Sequence, residues 1–226
     1  MPEGFDEGAA TEHYFTERPR SPSERRTLRF VYRGDLLTFA VDRGVFASSG
    51  LDPGTALLIE TLDPAPTDRV LDMGCGWGAI GIAAARRATE GQVVLTDINR
   101  RAALLARRNL RTNRIGNAEV RIGSGFAAVE AERFNLIAMN PPYHAGRPLV
   151  EAWLSETPAH LKEGGRLLIV GKGSQGILFY QAWLSERWAP SVEVRARGGG
   201  YRVLEARVGS PEPSGPPSTA HETRSS

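Results

Sequence analysis

Short apolar runs alternate with longer amphipathic stretches over most of this chain. From residue 69 onward the runs predict strands and the amphipathic stretches predict helices. The predicted strands cover 69–72, 92–96, 118–122, 135–139, 166–171, 191–197 and 201–208, and the predicted helices cover 79–88, 100–113, 148–161 and 174–188. Alternation of this kind predicts an α/β fold, a doubly wound and mostly parallel sheet that closes with an antiparallel C-terminal hairpin.

The chain before this alternation follows a different pattern. Between residues 28 and 49 apolar positions occur in patches around two turn signals, Arg33-Gly34-Asp35 and Asp42-Arg43-Gly44, which predict a small β-rich segment. Asp52-Pro53-Gly54-Thr55 then predicts the start of a helix. We therefore divide the chain into a disordered tail, a β-rich N-terminal extension, one α/β domain and a second disordered tail, at 1–11, 12–54, 55–209 and 210–226.

Composition narrows the class of protein without identifying a partner. With 226 residues, 41% of them hydrophobic, the chain has enough apolar side chains for one sizeable core. The net charge is +2, and because only Lys162 and Lys172 are lysines, arginine supplies the positive charge. A single cysteine, Cys75, excludes an intramolecular disulfide. Neither a signal peptide nor a run of about 20 apolar residues occurs, so we expect a cytoplasmic protein without membrane contact and without a metal site.

The stretch Asn140-Pro141-Pro142-Tyr143 gives the first indication of chemistry. It follows a predicted buried strand, and the Asn140 side-chain oxygen and the Pro141 carbonyl are candidates to accept the two hydrogens of an amino group. Two such acceptors turn a delocalised lone pair toward an electrophile by orientation, without a strong base. Tyr143 is expected to lie flat against a planar substrate. The motif alone fits an ordinary turn equally well, because both proline-containing dipeptides favour turns.

A glycine-rich loop lies upstream, between a predicted strand and a predicted helix. Gly76, Gly78 and Gly81 match the spacing of a dinucleotide-binding loop. However, Asp72 stands at the strand end, where it would repel a pyrophosphate but suit the ammonium and sulfonium of S-adenosylmethionine. Asp97 ends the next strand, about 20 residues on, and is the expected acceptor for two ribose hydroxyls as well as a candidate helix cap. This order of acids, glycines and Asn-Pro-Pro-Tyr is typical of a class I methyltransferase.

Further motifs occur between His13 and Val208. They are His13-Tyr14-Phe15, Phe39-x-x-Asp42-x-Gly44-Val45-Phe46, Leu51-Asp52-x-Gly54-Thr55, Leu71 to Gly78, Asp97 to Ala102, Asn140 to Gly146 and Gly199 to Leu204. Together they resemble the RsmC-type ribosomal RNA guanine-N2 methyltransferases, in particular the single-domain archaeal-type relatives. The resemblance implies a Rossmann-like class I methyltransferase fold, S-adenosylmethionine as cofactor and guanine in small-subunit ribosomal RNA as substrate.

The motifs and the resemblance give a set of expected site residues. Catalysis is assigned to Asn140, Pro141, Pro142 and Tyr143. The cofactor is expected to contact Asp72, Gly74, Gly76, Gly78, Asp97, Ile98, Ser124, Gly125, Phe126 and Asn140. The substrate is expected to contact Tyr143, His144 and Arg202, with His144 as an RNA contact rather than a base and with a surface arginine as the alternative for Arg202. The core is expected to hold Trp153, Trp183 and Trp188.

Two departures from the family pattern concern adenine and RNA. Class I methyltransferases usually have an acid after the third strand for the adenine amino group, whereas this chain has Gly123-Ser124-Gly125-Phe126. We therefore expect backbone groups to recognise adenine, with Phe126 as an apolar wall. The second, degenerate domain of bacterial members is also absent, so RNA docking must come from elsewhere, and a homodimer is one way to supply it.

Other substrates and a non-enzymatic function remain open. A protein glutamine amide presents the same geometry to an Asn-Pro-Pro-Tyr segment, as do the amino groups of adenine and cytosine. Methylation at pyrimidine C5 is disfavoured, because it needs a cysteine nucleophile and Cys75 lies in the glycine loop. A binding module that keeps the fold without catalysis is the remaining alternative, and the missing third-strand acid is the observation behind it.

Overall fold

A computed structural model describes residues 22–47, 50–188 and 191–207, so both predicted tails lie outside the described residues. The strands are β1 Arg25–Tyr32, β2 Asp35–Asp42, β3 Arg69–Met73, β4 Gln92–Asp97, β5 Ala118–Ile122, β6 Phe134–Met139, β7 Leu161–Lys172, β8 Ser191–Gly198 and β9 Tyr201–Arg207. The helices are α1 Pro53–Thr61, α2 Ala79–Ala85, α3 Arg100–Thr112, α4 Arg147–Glu156 and α5 Ile177–Arg187. Within the described part of the chain, no helix is both long and apolar enough to cross a membrane.

Seven of the strands form one sheet in the order β5-β4-β3-β6-β7-β9-β8. The pairs from β5 to β7 are parallel, and β9 pairs antiparallel with β7 and β8. The chain runs outward from β3 to β5 on one side and returns through β6 on the other. The strand order therefore reverses between β3 and β6, and ligands of open α/β sheets bind beyond the carboxyl ends of the strands at such a switch point. The predicted doubly wound sheet with an antiparallel C-terminal hairpin is confirmed.

The core lies on both faces of this sheet because successive strand residues point in opposite directions. In β6, Leu136 and Ala138 pack with α1, α2 and α3 on one face. Ile137 and Met139, the alternate residues, pack with α4 and α5 on the other. All four side chains are fully buried, which explains why the β6 sequence shows a continuous apolar run rather than alternation.

One predicted helix ends earlier than expected. The sequence predicts a helix over 148–161, but α4 ends at Glu156 and a short 3-10 turn, Thr157–His160, leads into β7. Pro158 stands in that turn. A proline has no backbone N–H and clashes with the preceding helical turn, so the α-helix cannot continue through it.

The N-terminal hairpin, β1 and β2, docks on α3 through two asparagine side chains. The Asn109 amide donates to the Ala40 carbonyl (2.9 Å), and its oxygen accepts from the Ala40 N–H (2.7 Å). Asn113 makes the same pair of bonds with Thr38, at 2.8 and 2.9 Å. Asn109 also donates to the Trp77 carbonyl (2.8 Å), which ties α3 to the loop after β3. The sequence predicts a β-rich extension here, but it does not indicate this attachment.

We expect Asn109→Ala to lower the free energy of unfolding by about 2 kcal/mol, because the half-buried N–H and carbonyl of Ala40 and the buried carbonyl of Trp77 would lose their partner. Urea denaturation followed by circular dichroism measures this change. Thr112→Ala, an exposed position on the same helix, is the matched control and should stay within about 0.5 kcal/mol of the unchanged protein. Equal stability of the two variants would contradict the docking role of Asn109.

Candidate active site

A cavity of about 290 Å³ opens at the carboxyl ends of β3, β4 and β6. Of the predicted site residues, its lining contains Gly74, Gly76, Asp97, Ile98, Ser124, Gly125, Asn140, Pro141, Pro142, Tyr143 and His144. It does not contain Asp72, Gly78, Phe126 or Arg202. The Asn-Pro-Pro-Tyr segment and the glycine loop, which are far apart in the sequence, therefore face one shared space.

The glycine loop is held against β4 by backbone hydrogen bonds. The N–H groups of Gly74 and Cys75 both donate to the Thr96 carbonyl at 2.9 Å. Gly74, Gly76 and Gly78 have φ values of 73°, 55° and 91°, in the left-handed region that favours glycine. Gly81 is needed for a different reason: a Cβ at this position would lie 2.5 Å from the Leu95 side chain. The loop thus turns sharply while α2 packs closely on β4.

Asp97 lies at the cavity with each carboxylate oxygen bonded to the backbone. One oxygen accepts from the Gly76 N–H (2.8 Å) and the other from the Asn99 N–H (2.8 Å). Burial raises the pKa of Asp97 to about 6, although these two N–H groups act in the opposite direction. Each oxygen keeps a lone pair, so the carboxylate can still accept hydrogen bonds from hydroxyl groups of a ligand. The start of α3 is capped by Asn99 rather than Asp97, since the Asn99 oxygen accepts from the N–H groups of Arg101 and Ala102.

Asp72 is fully buried beneath the glycine loop. One carboxylate oxygen accepts from the Gly81 N–H at 2.7 Å, in the first turn of α2. The other oxygen has no hydrogen-bond partner among the described residues. Burial, with a smaller effect of the Asp97 charge, raises the pKa of Asp72 to about 7. In the structure, Asp72 joins β3 to the N-terminus of α2, a helix end that favours negative charge.

The side chain of Asn140 is held by two residues at the start of α1. Its amide nitrogen donates to the Thr55 hydroxyl (2.9 Å) and to a carboxylate oxygen of Asp52 (3.2 Å). Both amide hydrogens are therefore used within the protein. The amide oxygen is left as the acceptor that Asn140 can offer to a ligand in the cavity.

Residues 141–143 form a tight turn that also lines the cavity. The Tyr143 N–H donates to the Pro141 carbonyl at 2.9 Å across Pro142, whose φ of −76° and ψ of 74° are those of an inverse γ-turn. The turn that the sequence gives as one alternative is therefore present, and the same segment lines the cavity. The Pro141 carbonyl retains one lone pair for a ligand.

Tyr143 is fixed through its hydroxyl group. This hydroxyl donates to the Val170 carbonyl at 2.7 Å, and burial raises the pKa of Tyr143 far above its ordinary value. The ring lies 5.7 Å from that of Tyr180 and also borders the cavity. Tyr143 is therefore held as a rigid apolar surface and is not available as an acid or base.

Trp153, which the sequence assigns to the core, lines the cavity instead. It packs against the core on one side, and its indole nitrogen would lie 2.8 Å from a Cβ added at Gly125. Phe126, the expected apolar wall, is buried and stacks on His160 with ring centroids 4.2 Å apart. The apolar wall beside Ser124 and Gly125 is thus Trp153. No signal in the sequence around Trp153 indicates this position, because it depends on Gly125, which is distant in the chain.

The cavity lining also includes residues that the sequence did not assign to the site, namely Val45, Phe46, Thr96, Ala102, Gly123, Leu149 and Gln175. The segment after β2 is brought to the cavity by two hydrogen bonds: the Trp77 indole donates to the Phe46 carbonyl (3.1 Å), and the Asn99 amide donates to the Gly44 carbonyl (3.1 Å). The N-terminal extension therefore contributes to the site. No group of three or more His, Cys, Asp or Glu suited to a metal ion occurs among the described residues.

Comparisons with known proteins agree with this arrangement. Residues 36–205 match the family described as Methyltransferase small domain. The chain is 34% identical over 199 residues to the uncharacterized protein YbxB of Bacillus subtilis (strain 168). This match covers 87% of this chain and 98% of the relative. It is 37% identical over 170 residues to Ribosomal RNA small subunit methyltransferase C of Pseudomonas fluorescens. This match covers 74% of this chain and 49% of the relative. The chain thus spans about half the length of this second relative.

Two solved methyltransferase structures also superpose on this chain. The Thermus thermophilus 16S rRNA N2 G1207 methyltransferase (RsmC), in complex with AdoMet and guanosine, superposes with a TM-score of 0.72 at 27% identity, over 84% of this chain and 52% of that one. A ribosomal protein L11 methylase from Lactobacillus delbrueckii subsp. bulgaricus superposes with a TM-score of 0.56 at 25% identity, over 68% and 77% of the two chains. With its family match, its relatives and a cavity at the sheet's switch point, this chain belongs to the methyltransferase small domain family, as an RsmC-type class I methyltransferase.

Proposed function

We propose that this protein transfers a methyl group from S-adenosylmethionine to the exocyclic 2-amino group of guanine in small-subunit ribosomal RNA. The observation that carries the proposal is the orientation of Asn140. Both of its amide hydrogens are bonded to Asp52 and Thr55, so an acceptor oxygen is offered at the carboxyl end of β6. An acceptor at this position suits an amino group that must be oriented rather than deprotonated.

The charges around the cavity fit S-adenosylmethionine. The described lining includes the carboxylate of Asp97 and no arginine or lysine. Such a lining suits a ligand with positive charge and ribose hydroxyls, and it offers no cation for a pyrophosphate. Asp97 would accept from the ribose hydroxyls. Ser124, Gly125, Ile98 and Trp153 would surround the adenine without an acidic partner.

The residues of this chain would contribute to the reaction by orienting the substrate amine. When bound, S-adenosylmethionine provides an electrophilic methyl group on a sulfonium. Asn140 and Pro141 would each accept one hydrogen of the substrate amine, turning the nitrogen lone pair toward that methyl group. The cofactor would supply the methyl group as its carbon–sulfur bond breaks and the nitrogen–carbon bond forms, and the methylated nitrogen would release its proton to water. Tyr143 would pack against the base as a rigid surface, and His144, at the exposed rim, would contact RNA.

The choice of guanine in ribosomal RNA is supported by the relatives. The Thermus relative is a 16S rRNA N2 G1207 methyltransferase whose structure contains guanosine, and the Pseudomonas relative is a ribosomal RNA small subunit methyltransferase. Because this chain spans about half the length of the latter, its RNA contacts are part of the proposal. The possible homodimer, the contact of Arg202 with substrate and the contacts of Asp72, Gly78 and Phe126 with cofactor stay predictions.

The proposal is tested by incubating the protein with S-adenosylmethionine that carries a labelled methyl group, in the presence of either deproteinised small-subunit RNA or assembled subunits. We expect the label in N2-methylguanosine after nucleoside analysis. Label in protein glutamine, adenosine or cytidine, and not in guanosine, would contradict guanine as the substrate and would identify one of the alternatives. Absence of cofactor binding at millimolar concentration in calorimetry would leave only a non-catalytic module.

We expect Asn140→Ala to lower kcat by roughly 100-fold or more, because the amine would lose one of its two orienting acceptors. Cofactor affinity, measured by calorimetry, should stay within about threefold. Gln92→Ala, exposed at the opposite end of β4, serves as the control with unchanged kcat. A comparable loss of cofactor affinity and kcat in Asn140→Ala would indicate a structural role instead.

Cofactor affinity should also depend on pH through Asp97. The pKa of this carboxyl is raised to about 6 in the unliganded protein, and hydroxyl donors of a ligand would favour its ionised form. Ligand binding would thus lower that pKa, so the Kd should rise about tenfold per pH unit as the pH falls below 6. Calorimetry between pH 8 and 5 measures this rise, and the step near pH 6 should disappear in Asp97→Asn. A Kd that stays constant over this range would exclude Asp97 as the ribose acceptor.

A further inference from the structure

The start of α1 joins three distant parts of the chain at one carboxylate. Asp52 accepts from the Thr55 N–H (2.9 Å) and the Thr55 hydroxyl (3.3 Å), both on the oxygen that Asn140 reaches at 3.2 Å. Its second oxygen accepts from the Tyr201 hydroxyl at 3.3 Å. Tyr201 packs closely here, since a Cβ at Gly54 would lie 2.7 Å from its ring. The cluster thus connects α1, the end of β6 and the first residue of β9.

This cluster determines which end of the Asn140 amide faces the cavity. An asparagine side chain can rotate by half a turn, which exchanges an acceptor oxygen for a donor NH2 of nearly the same shape. In the exchanged orientation, two NH2 groups would face each other and the substrate amine would lose an acceptor. The amide therefore needs partners that accept hydrogen bonds and do not donate.

Asp52 and Thr55 provide such partners in a fixed direction. An ionised carboxylate only accepts hydrogen bonds, whereas a threonine hydroxyl can donate or accept. Because Thr55 donates its hydroxyl hydrogen to Asp52, its lone pairs are left for the Asn140 amide, 2.9 Å away. Thr55 is 7% exposed, so water competes little for this bond. The negative charge of Asp52 thus sets which group donates in three hydrogen bonds: from the Thr55 hydroxyl to Asp52, from Asn140 to Asp52 and from Asn140 to the Thr55 hydroxyl.

We propose that Asp52 and Thr55 are positioning residues, which act through Asn140 by holding its amide oxygen toward the substrate amine. The proposal rests on the proposed function, because it takes Asn140 as the residue that orients an amine. Asp52 also caps α1 through the Thr55 N–H, so each test variant must separate the positioning role from the capping role.

The first test compares two substitutions of Thr55. Thr55→Val keeps the shape and removes the hydroxyl, whereas Thr55→Ser keeps the hydroxyl. We expect Thr55→Val to lower kcat by about 10- to 100-fold, with the cofactor Kd and the RNA KM within about threefold, and Thr55→Ser to restore most of the activity. The matched control is Thr61→Val at the other end of α1, where the hydroxyl donates to the Leu57 carbonyl (2.7 Å).

Asp52→Ser is the second variant, because serine also caps helices but carries no charge. It should lower kcat at least as much as Thr55→Val. Unchanged kcat in both variants would overturn the proposal. So would an equal loss of kcat in Thr55→Val and Thr55→Ser accompanied by a higher cofactor Kd, since that pattern indicates a damaged α1 start.

A measurement without substrate separates this proposal from the proposed function. The side-chain NH2 resonances of Asn140, assigned by their absence in Asn140→Ala, report its hydrogen bonds in a 1H–15N spectrum of the full chain. We expect them to shift, and their exchange with water to accelerate, in Thr55→Val but not in Thr61→Val. If these resonances were the same in Thr55→Val as in the unchanged protein, the proposal would fail whichever substrate is methylated.

Discussion

The parallel pairing of β3 with both β4 and β6 is the constraint on which the site depends. A strand paired on both sides cannot shift its register without moving its neighbours, so the three carboxyl ends stay at fixed distances. The loops that follow must all turn away from the same edge. The glycine loop does so with left-handed backbone, and residues 141–143 do so with a γ-turn. The cavity is the space that these turns leave open.

Burial gives the two acids at this edge different properties. Asp72 is beneath the loop and bonded to the α2 N-terminus, whereas Asp97 borders the cavity. Both pKa values are raised, mainly by burial, and the more deeply buried Asp72 has the larger shift. A second carboxylate nearby adds to the cost of ionising the first. A cationic ligand at the cavity would reduce this cost, because it would compensate for the negative charge of both groups.

The sequence was sufficient for features that depend on local pattern. Apolar runs predicted the strands of the sheet, and Asp97 and Asn140 at strand ends predicted where the cavity would lie. Features that depend on a partner distant in the sequence were not predictable. Nothing near Trp153 in the sequence shows that Gly125 leaves space beside its indole, and Phe126 has the composition of a cavity wall but stacks on His160. Likewise, nothing in the sequence distinguishes Asn109 and Asn113 from ordinary polar residues of a helix, because their partners lie in the distant strand β2.

The attachment of β2 to α3 has a consequence for association between molecules. A strand at the edge of a sheet offers unpaired N–H and C=O groups to strands of other chains, which makes such edges prone to aggregation. The outer edge of β2 would be such an edge, but the backbone groups of Thr38 and Ala40 are already bonded to Asn113 and Asn109. One side chain of α3 and the side chain of its C-cap residue thus occupy the positions of a neighbouring strand, and they protect a two-stranded hairpin from intermolecular pairing along that edge.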